Sequence, residues 1–337
     1  MKLGIIGSGK IIEDALFAIE PLKEISLNAI FVRPHSIEKG KAFSEKYGIK
    51  EVYTDYEELL EKADIDTVYI GLINSVHYEY AKKAVLKKKH VILEKPFVGT
   101  YDEAIDLVNT AKENNCVVLE AITVLHNDVI DKMKNQLSQL GNIKMMIGNY
   151  SQYSSRYDRY LNGDVDHSFD PDYLGGTLRD INVYNVHYVI YLFGRPQEVE
   201  YHANKGFNGI DTSGVLVLKY DGFSAVCIAA KDSDSPCFIS IQGEKGYMKI
   251  DGKPNVAPNL TINVIDENNK ELVRDPAGAT VRASIKEEYI PPVVHHRMTR
   301  EFKDFADIID QKDFETANQL MNESVDVMYV IDKAINQ

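Results

Sequence analysis

A pair of glycines near the start of the chain constrains the fold more than any other feature of the sequence. The apolar run from Leu3 to Ile6 leads to Gly7 and Gly9, and a helical pattern of apolar residues begins directly afterwards. Gly7 permits a tight turn, and Gly9 lets the backbone approach a ligand closely. The free N–H groups and the dipole at the start of such a helix favour a phosphate. A glycine pair alone would equally fit a plain turn, but in this context it predicts a dinucleotide-binding unit.

The glycine pattern departs from its usual form at one position. The third glycine of Gly-x-Gly-x-x-Gly is replaced by Ile12, so we expect the first helix and its strand to pack slightly further apart. The backbone of the turn should still reach a pyrophosphate, because the two remaining glycines carry no side chain. The residues expected to contact a dinucleotide here are Gly7, Ser8, Gly9, Lys10 and Ile11.

Strands and helices alternate over the first 120 residues at the spacing of βαβ units. Strands are predicted at Leu3 to Ile6, Ser26 to Val32, Thr67 to Leu72, Val91 to Glu94 and Val117 to Glu120. Helices are predicted at Ser8 to Ile19, Ile37 to Tyr47, Tyr56 to Lys62, His77 to Lys88 and Tyr101 to Asn114. Such alternation implies a parallel sheet covered by helices on both faces. We therefore predict an α/β protein whose residues 1–120 form a doubly wound Rossmann domain.

The pattern changes after Glu120. A helical stripe runs from His126 to Leu140, and later apolar runs are separated by hairpin signals such as Asp221-Gly222, whose favoured turn needs positive φ. Strands are predicted at Val215 to Tyr220, Phe223 to Ala229, Phe238 to Gln242, Tyr247 to Ile250 and Leu260 to Val264. The closing helices are predicted at His296 to Ile309 and Thr316 to Ile335. We therefore predict a second α/β domain at 121–337 with a large, mostly antiparallel open sheet.

Composition and charge restrict the class of protein. The 337 residues suffice for two domains, each with its own core. A net charge of −13 disfavours general affinity for nucleic acid, which rests on Lys and Arg neutralising phosphates. No window approaches the roughly 18 apolar residues of a membrane span. Met1-Lys2 leads directly into a strand rather than a signal peptide, and the three cysteines are typical of buried thiols. We expect a cytoplasmic protein without a metal, nucleic-acid or membrane partner.

Four motifs in a fixed order identify a resemblance. They are Gly7-Ser8-Gly9 after the first strand, Asn74-Ser75-Val76-His77, Glu94-Lys95-Pro96 at the end of an apolar run, and Gly175 to Tyr184 entering a helix that ends at Gly194. With them the chain resembles the Gfo/Idh/MocA oxidoreductases over nearly its whole length. The resemblance implies a nucleotide-binding first domain and a second domain whose open sheet carries substrate contacts on one side and often a subunit interface. On this ground a homo-oligomer, a dimer or a tetramer, is expected.

The resemblance places the family's catalytic residues on Lys95, Asp180 and Tyr184. Hydride transfer from a secondary alcohol needs a base for the hydroxyl proton, and the reverse reaction needs the same group as an acid. We expect Tyr184 to be this acid/base, Lys95 to orient the substrate hydroxyl and favour the phenolate, and Asp180 to hold a substrate hydroxyl or the lysine. The alternatives are a surface cation for Lys95 and a core tyrosine for Tyr184. Asn182 departs from the family, which normally has a glycine there.

The choice of cofactor depends on the end of the second strand. This strand ends at Phe31-Val32-Arg33, without a carboxylate to bond the ribose 2′-hydroxyl of NAD. Arg33 could bind the 2′-phosphate of NADP, so NADP is favoured over NAD, although a solvated arginine would leave the preference open. Further cofactor contacts implied by the resemblance are Leu72, Asn74, His77, Glu94 and Lys95.

The substrate is expected to be a small polar molecule. The segment from Tyr150 to Tyr157 ends a strand with many hydroxyl groups, as a sugar or polyol requires, and Arg156 would suit a carboxylate or phosphate of the substrate. We therefore predict an NAD(P)-dependent dehydrogenase or reductase acting on a sugar, polyol or dihydrodiol-type alcohol, or on the corresponding carbonyl. The residues expected to bind the substrate are Lys95, Arg156, Asp180 and Tyr184. The alternative is a non-catalytic NAD(P)-binding sensor on the same fold.

Overall fold

The computed structural model describes residues 1–269 and 271–336. The central strands of its first sheet are short and almost wholly buried, because helices cover both faces. The strands are β1 (Lys2–Ile6), β2 (Ser26–Phe31), β3 (Glu51–Tyr53), β4 (Thr67–Ile70), β5 (His90–Glu94) and β6 (Val118–Ala121). The helices between them are α1 (Lys10–Ile19), α2 (Ile37–Tyr47), α3 (Tyr56–Lys62), α4 (His77–Leu86) and α5 (Tyr101–Glu113).

The order of the strands creates a ligand-binding edge. Within the described residues, all strands of this sheet are parallel in the order β3-β2-β1-β4-β5-β6. The chain reverses its direction of winding between β1 and β4, and the loops after these two strands diverge to leave a crevice. The predicted Rossmann domain is confirmed. Strand β3 was not predicted, because it is only three residues long, lies at the sheet edge and lacks an apolar run.

The second sheet is large and open. Its strands are β7 (Ile143–Ser151), β8 (Glu198–Lys205), β9 (Asp211–Tyr220), β10 (Phe223–Ala230), β11 (Phe238–Gly243), β12 (Gly246–Asp251), β13 (Leu260–Ile265) and β16 (Ser284–Tyr289), while β14 (Leu272–Arg274) and β15 (Thr280–Arg282) form a separate ribbon. The order is β16-β13-β12-β11-β7-β10-β9-β8. Neighbouring strands are antiparallel except β7 and β10, which are parallel. The predicted mostly antiparallel open sheet is confirmed.

A buried helix connects the two sheets. The remaining helices are α6 (Asp128–Gln136), α7 (Tyr157–Leu161), α8 (Val183–Phe193), α9 (Thr299–Gln311) and α10 (Phe314–Ile335). Almost every residue of α8 is buried, because α8 packs on β7 and β10 with one side and on α10 with the other. Helix α10 also packs on α5 and β6, so the two sheets share a continuous core. Among the described residues, no helix combines the length and the apolar character that crossing a lipid bilayer requires.

The buried apolar face of helix α9 packs in the core of the first domain. The rings of Tyr69 in β4 and Phe302 in α9 have centroids 5.1 Å apart, and the Thr299 hydroxyl donates to the Ala18 carbonyl of α1 at 3.0 Å. The second domain at 121–337 stays a prediction; within it, the chain returns to the first sheet with α9 after completing the second sheet. The apolar stripe of α9 is visible in the sequence, but a stripe does not show which sheet it covers.

Candidate active site

The glycine turn after β1 is shaped to receive a ligand. Gly7 has φ +124°, and a Cβ atom there would lie 2.8 Å from the carbonyl oxygen of Gly71, so only glycine fits. A Cβ atom on Gly9 would meet no atom of the described residues within 4 Å, which leaves space beside the backbone. In the described part of the chain, no side chain caps the N-terminus of α1. The first N–H groups of α1 are therefore available to an anion.

The missing third glycine, replaced by Ile12, is compensated by a glycine elsewhere in the fold, which we did not predict. The side chain of Ile12 is fully buried, and its Cδ1 atom lies 2.6 Å from the point that a Cβ atom on Gly71 would occupy. Gly71 directly follows β4. The isoleucine on the helix therefore fills the space left by a glycine at the end of the neighbouring strand. The wider helix-to-strand spacing that we expected is not required.

A groove of about 420 Å³ runs along this turn. Seven of the predicted cofactor contacts line it: Gly7, Ser8, Gly9, Lys10, Ile11, Arg33 and Leu72. The second domain contributes Arg156 and His167 to the wall of this groove. None of the described residues that line the groove is acidic. A groove with basic side chains on both walls suits a polyanion such as a dinucleotide.

Two other predicted cofactor contacts hold loops in place and do not line this groove. Asn74 donates through Nδ2 to the Leu174 carbonyl at 2.9 Å, which ties the loop after β4 to the second domain. His77 is fully buried, and its ring nitrogens contact the carbonyl oxygens of Pro96 at 3.0 Å and Leu72 at 3.2 Å. Burial lowers the pKa of His77, and the ring lies between the two loops that flank the site, with one nitrogen beside a carbonyl oxygen of each.

Lys95 and Asp180 meet at the carboxyl end of β5. The Lys95 ammonium donates to Oδ1 of Asp180 at 2.8 Å and to the Asp180 backbone carbonyl at 2.7 Å. Burial alone would lower the pKa of Lys95, but the charge and hydrogen bond of Asp180, together with Tyr184 and Glu94, outweigh burial and the net pKa is raised. The peptide bond to Pro96 is cis. Glu94, also predicted at the cofactor, is buried and accepts a hydrogen bond from Tyr69 at 2.6 Å.

A second lysine, Lys231, binds the other oxygen of Asp180. Its Nζ atom lies 2.7 Å from Oδ2 of Asp180 and donates to the Ser168 carbonyl at 2.8 Å. Burial would raise the pKa of Asp180, but Lys95 and Lys231 hold it well below its usual range, so the carboxylate is ionised. We did not predict Lys231. Its only signal in the sequence is a lysine directly after the buried strand β10.

Asp180 lies in a π turn, Leu178–Asn182, that leads into α8. Turns of this type inside α-helices frequently occur at functional sites. Asn182 ends the turn with φ −70°, an ordinary helical value, so this position does not need a glycine. Its side chain donates to the Cys227 carbonyl of β10 at 3.2 Å. The departure from the family pattern at Asn182 therefore anchors the turn to the second sheet.

Tyr184 faces Lys95 from the first turn of α8. The Lys95 Nζ atom lies 5.4 Å from the centroid of the Tyr184 ring, and the centroid of the Tyr150 ring lies 5.8 Å from it. Burial raises the pKa of Tyr184, and the opposing charges of Lys95 and Arg297 do not overcome this effect. Tyr184 is therefore a phenol at neutral pH in the free protein, although the Lys95 charge favours the phenolate in the expected direction. Arg297 is a second cation that we did not predict.

His187 braces α8 one turn beyond Tyr184. Its Nδ1 atom lies 2.9 Å from Glu323 of α10, and its Nε2 atom lies 3.4 Å from Glu120 of β6. Burial would lower the pKa of His187, but the two glutamates raise it to about 10, so the ring is an imidazolium. These charge pairs connect the helix that carries Tyr184 to the sheet that carries Lys95.

Two family models match the chain, one in each domain. Residues 1–122 match a model described as an oxidoreductase family with an NAD-binding Rossmann fold. Residues 137–249 match the C-terminal domain of the same family. The match therefore includes the glycine turn, Lys95, Asp180 and Tyr184.

Known proteins are similar over most of the length. The scyllo-inositol 2-dehydrogenase (NADP(+)) IolU of Bacillus subtilis (strain 168) is 33% identical over 251 residues, which are 74% of this chain and 76% of that protein. A trans-1,2-dihydrobenzene-1,2-diol dehydrogenase of Xenopus tropicalis is 29% identical over 257 residues, 74% of each chain. The structure of KijD10, a 3-ketoreductase from Actinomadura kijaniata, was solved with NADP and TDP-benzene. It superimposes on this chain with a TM-score of 0.81 at 20% identity, and the match covers 100% of this chain and 97% of KijD10. Matched in both domains and related to IolU over most of its length, this chain belongs to the Gfo/Idh/MocA family of oxidoreductases.

Proposed function

We propose that this chain is an NADP-dependent oxidoreductase that acts on a sugar, polyol or dihydrodiol-type alcohol, or on the corresponding carbonyl. The observation that carries the proposal is the Lys95 ammonium, which lies 2.8 Å from Asp180 and 5.4 Å from the centroid of the Tyr184 ring. A sensor without chemistry has no need of a proton donor beside a buried ammonium. The names of IolU and of the dihydrodiol dehydrogenase support this class of substrate.

The groove favours NADP over NAD. Arg33 is exposed at its wall two residues after β2, where an NAD-specific site would have an acidic residue. A guanidinium there suits a 2′-phosphate. The glycine turn and the start of α1 would hold the pyrophosphate. NADP also occurs in the name of IolU and in the KijD10 complex, which supports the same choice.

In the proposed reaction Tyr184 exchanges a proton with the substrate oxygen. The reduced nicotinamide, when bound, supplies a hydride to the carbonyl carbon. Tyr184 donates its phenolic proton to the carbonyl oxygen as negative charge develops there, which leaves an alcohol and a phenolate. Lys95 and Arg297 stabilise that phenolate until it takes a proton from solvent. Asp180, held between Lys95 and Lys231, fixes the ammonium of Lys95 in place.

The test separates cofactor binding from turnover. Tyr184→Phe should bind NADPH normally and lose activity by roughly 10²–10⁴-fold on polyols, aldoses and dihydrodiols, because it lacks only the proton. Tyr188→Phe is the matched control, since Tyr188 lies one turn later on α8 and donates to the Pro254 carbonyl at 3.2 Å. Loss of activity in both variants would contradict the role of Tyr184. Binding without turnover by the unaltered chain would favour the sensor.

The assembly and the location of the protein remain predictions. We expect a homo-oligomer, a dimer or a tetramer, and light scattering on the purified chain tests this expectation. We also expect the protein in the cytoplasm, which cell fractionation tests.

A further inference from the structure

The second domain reaches the nucleotide groove with two side chains from one short segment. Arg156 immediately precedes α7, and His167 lies eleven residues further along the chain. Both line the groove that Gly7 and Lys10 form on the other side. The residues described around this groove do not include Lys95. This arrangement therefore favours a contact of Arg156 with a ligand in the groove over a contact with a substrate at Lys95.

Asp166 orients both basic side chains. Its Oδ1 atom lies 3.5 Å from Nε of Arg156 and 3.3 Å from Nδ1 of His167, and it accepts a hydrogen bond from the Ser168 N–H at 3.0 Å. Burial would raise the pKa of Asp166, but the Ser168 N–H and the Arg156 charge lower it, so the carboxylate is ionised. The carboxylate engages one nitrogen of each neighbour. Among the described residues, the terminal nitrogens of Arg156 and Nε2 of His167 make no such contact, and Nε2 can donate to a phosphate oxygen in the imidazolium form.

The segment is tied to the loop that follows β4. Asn74, in the loop after β4, donates to the Leu174 carbonyl at 2.9 Å. Gly175 packs so closely that a Cβ atom there would lie 2.7 Å from the carbonyl oxygen of His167. These two contacts hold His167 at the end of β4, and β4 is the neighbour of β1 in the sheet. The diphosphate of a dinucleotide is the part that binds at this point of such a fold.

We propose that Arg156 and His167 bind the diphosphate of the dinucleotide from the second domain, opposite the N–H groups of α1. The inference rests on the proposed function, since it needs a dinucleotide in the groove. A guanidinium binds phosphate oxygens through two parallel hydrogen bonds, and the helix start binds them from the other side. This assignment replaces the substrate role expected for Arg156. It also makes the cofactor a link between the two domains.

The experiment compares the binding of NADPH and NADH to three variants of the full chain. The chain contains no Trp, so the fluorescence of the reduced nucleotide can be followed without emission from tryptophan. Arg156→Gln should weaken both nucleotides by the same factor, roughly tenfold to a hundredfold, because both carry the diphosphate. Arg33→Gln should weaken NADPH alone. Arg159→Gln is the matched control and should change neither, since Arg159 pairs with Asp164 at 2.7 Å outside the groove.

The exposures of the two compared arginines are similar, at 45% for Arg156 and 55% for Arg159, so a general effect of removing a surface charge would appear in both variants. Unchanged binding in Arg156→Gln, with a raised KM for the substrate, would overturn the inference and return Arg156 to the substrate. Weakened binding of NADPH alone would overturn the diphosphate assignment. If the unaltered chain bound neither nucleotide, the proposed function would fail as well. Thermal unfolding of each variant establishes that it is folded.

Discussion

Replacing Lys231 by methionine tests whether Asp180 depends on two ammonium groups. The side chain of Lys231 is 4% exposed, and its Nζ atom lies 2.7 Å from Oδ2 of Asp180. Removal of one partner from a buried ion pair lowers the free energy of unfolding by about 3–5 kcal/mol. Asp180 keeps the Lys95 ammonium at 2.8 Å and is itself partly exposed, so we expect a smaller loss of about 2–3 kcal/mol in urea unfolding.

The same variant should become sensitive to acid at a higher pH. The lowered pKa of Asp180 means that the stability contributed by its carboxylate is present above the ordinary aspartate pKa and is lost only as the pH falls through the lowered value. Without Lys231 the pKa of Asp180 moves back toward the ordinary value of about 3.9. As the pH is lowered, kcat/KM and the free energy of unfolding should therefore begin to fall earlier than in the unaltered chain.

Lys219→Met is the matched control for this prediction. Lys219 also lies between two carboxylates, Glu198 at 2.8 Å and Glu200 at 2.5 Å, but its side chain is 41% exposed. Exposed ion pairs contribute little, so this change should leave the free energy of unfolding and the pH profile nearly unaltered. Equal stability of the two variants, with the acid limb of the Lys231 variant unmoved, would refute the reasoning.

Three further predictions follow from the site and its supports. Oxidation of an alcohol should accelerate with rising pH, because Tyr184 must lose a proton whose pKa is raised, and initial rates should show no such rise in Tyr184→Phe. Gly7→Ala should abolish nucleotide binding because its Cβ would lie 2.8 Å from a carbonyl oxygen, whereas Gly48→Ala, at φ +69° with no described atom within 4 Å, should bind normally. Strain at Gly48 should cost only about 1–2 kcal/mol in urea unfolding, and equal binding defects would contradict the steric argument. His187→Gln should be most destabilising below about pH 6.5, and the difference from the unaltered chain should shrink as the pH rises through about 10, where the imidazolium loses its proton. A difference in urea unfolding that stays constant between these pH values would contradict the assignment of that charge.

The first domain could be predicted from the sequence because its signals are local. Gly7 and Gly9 lie next to the strand and helix that they join, and each apolar run reports its own burial. The fold class and the Rossmann domain were therefore predicted correctly. The convergence of Lys95, Asp180 and Tyr184 was expected from the motifs, and the structure brings the three side chains together.

The remainder of the site depends on contacts between residues far apart in the chain. Lys231 and Arg297 come from a strand end and from the residues before α9, and nothing beside them in the sequence marks a site. Arg156 lies in a segment rich in hydroxyl groups, which suggested a substrate, and the sequence does not show that this segment lines the groove along the glycine turn. The phenol state of Tyr184 also could not be predicted, because it depends on how burial compares with the charges around the ring.

The contact between Ile12 and Gly71 changes what the dinucleotide fingerprint should be taken to require. The Ile12 side chain occupies the volume that Gly71 leaves free, so the condition is one small residue in the pair and not a glycine at a fixed place in the helix. A search pattern that insists on the helix position would reject this chain. A search pattern that scores the helix position and the strand-end position together would accept this chain. The two positions are then expected to vary together among relatives, with a large residue at one allowed only when the other is small.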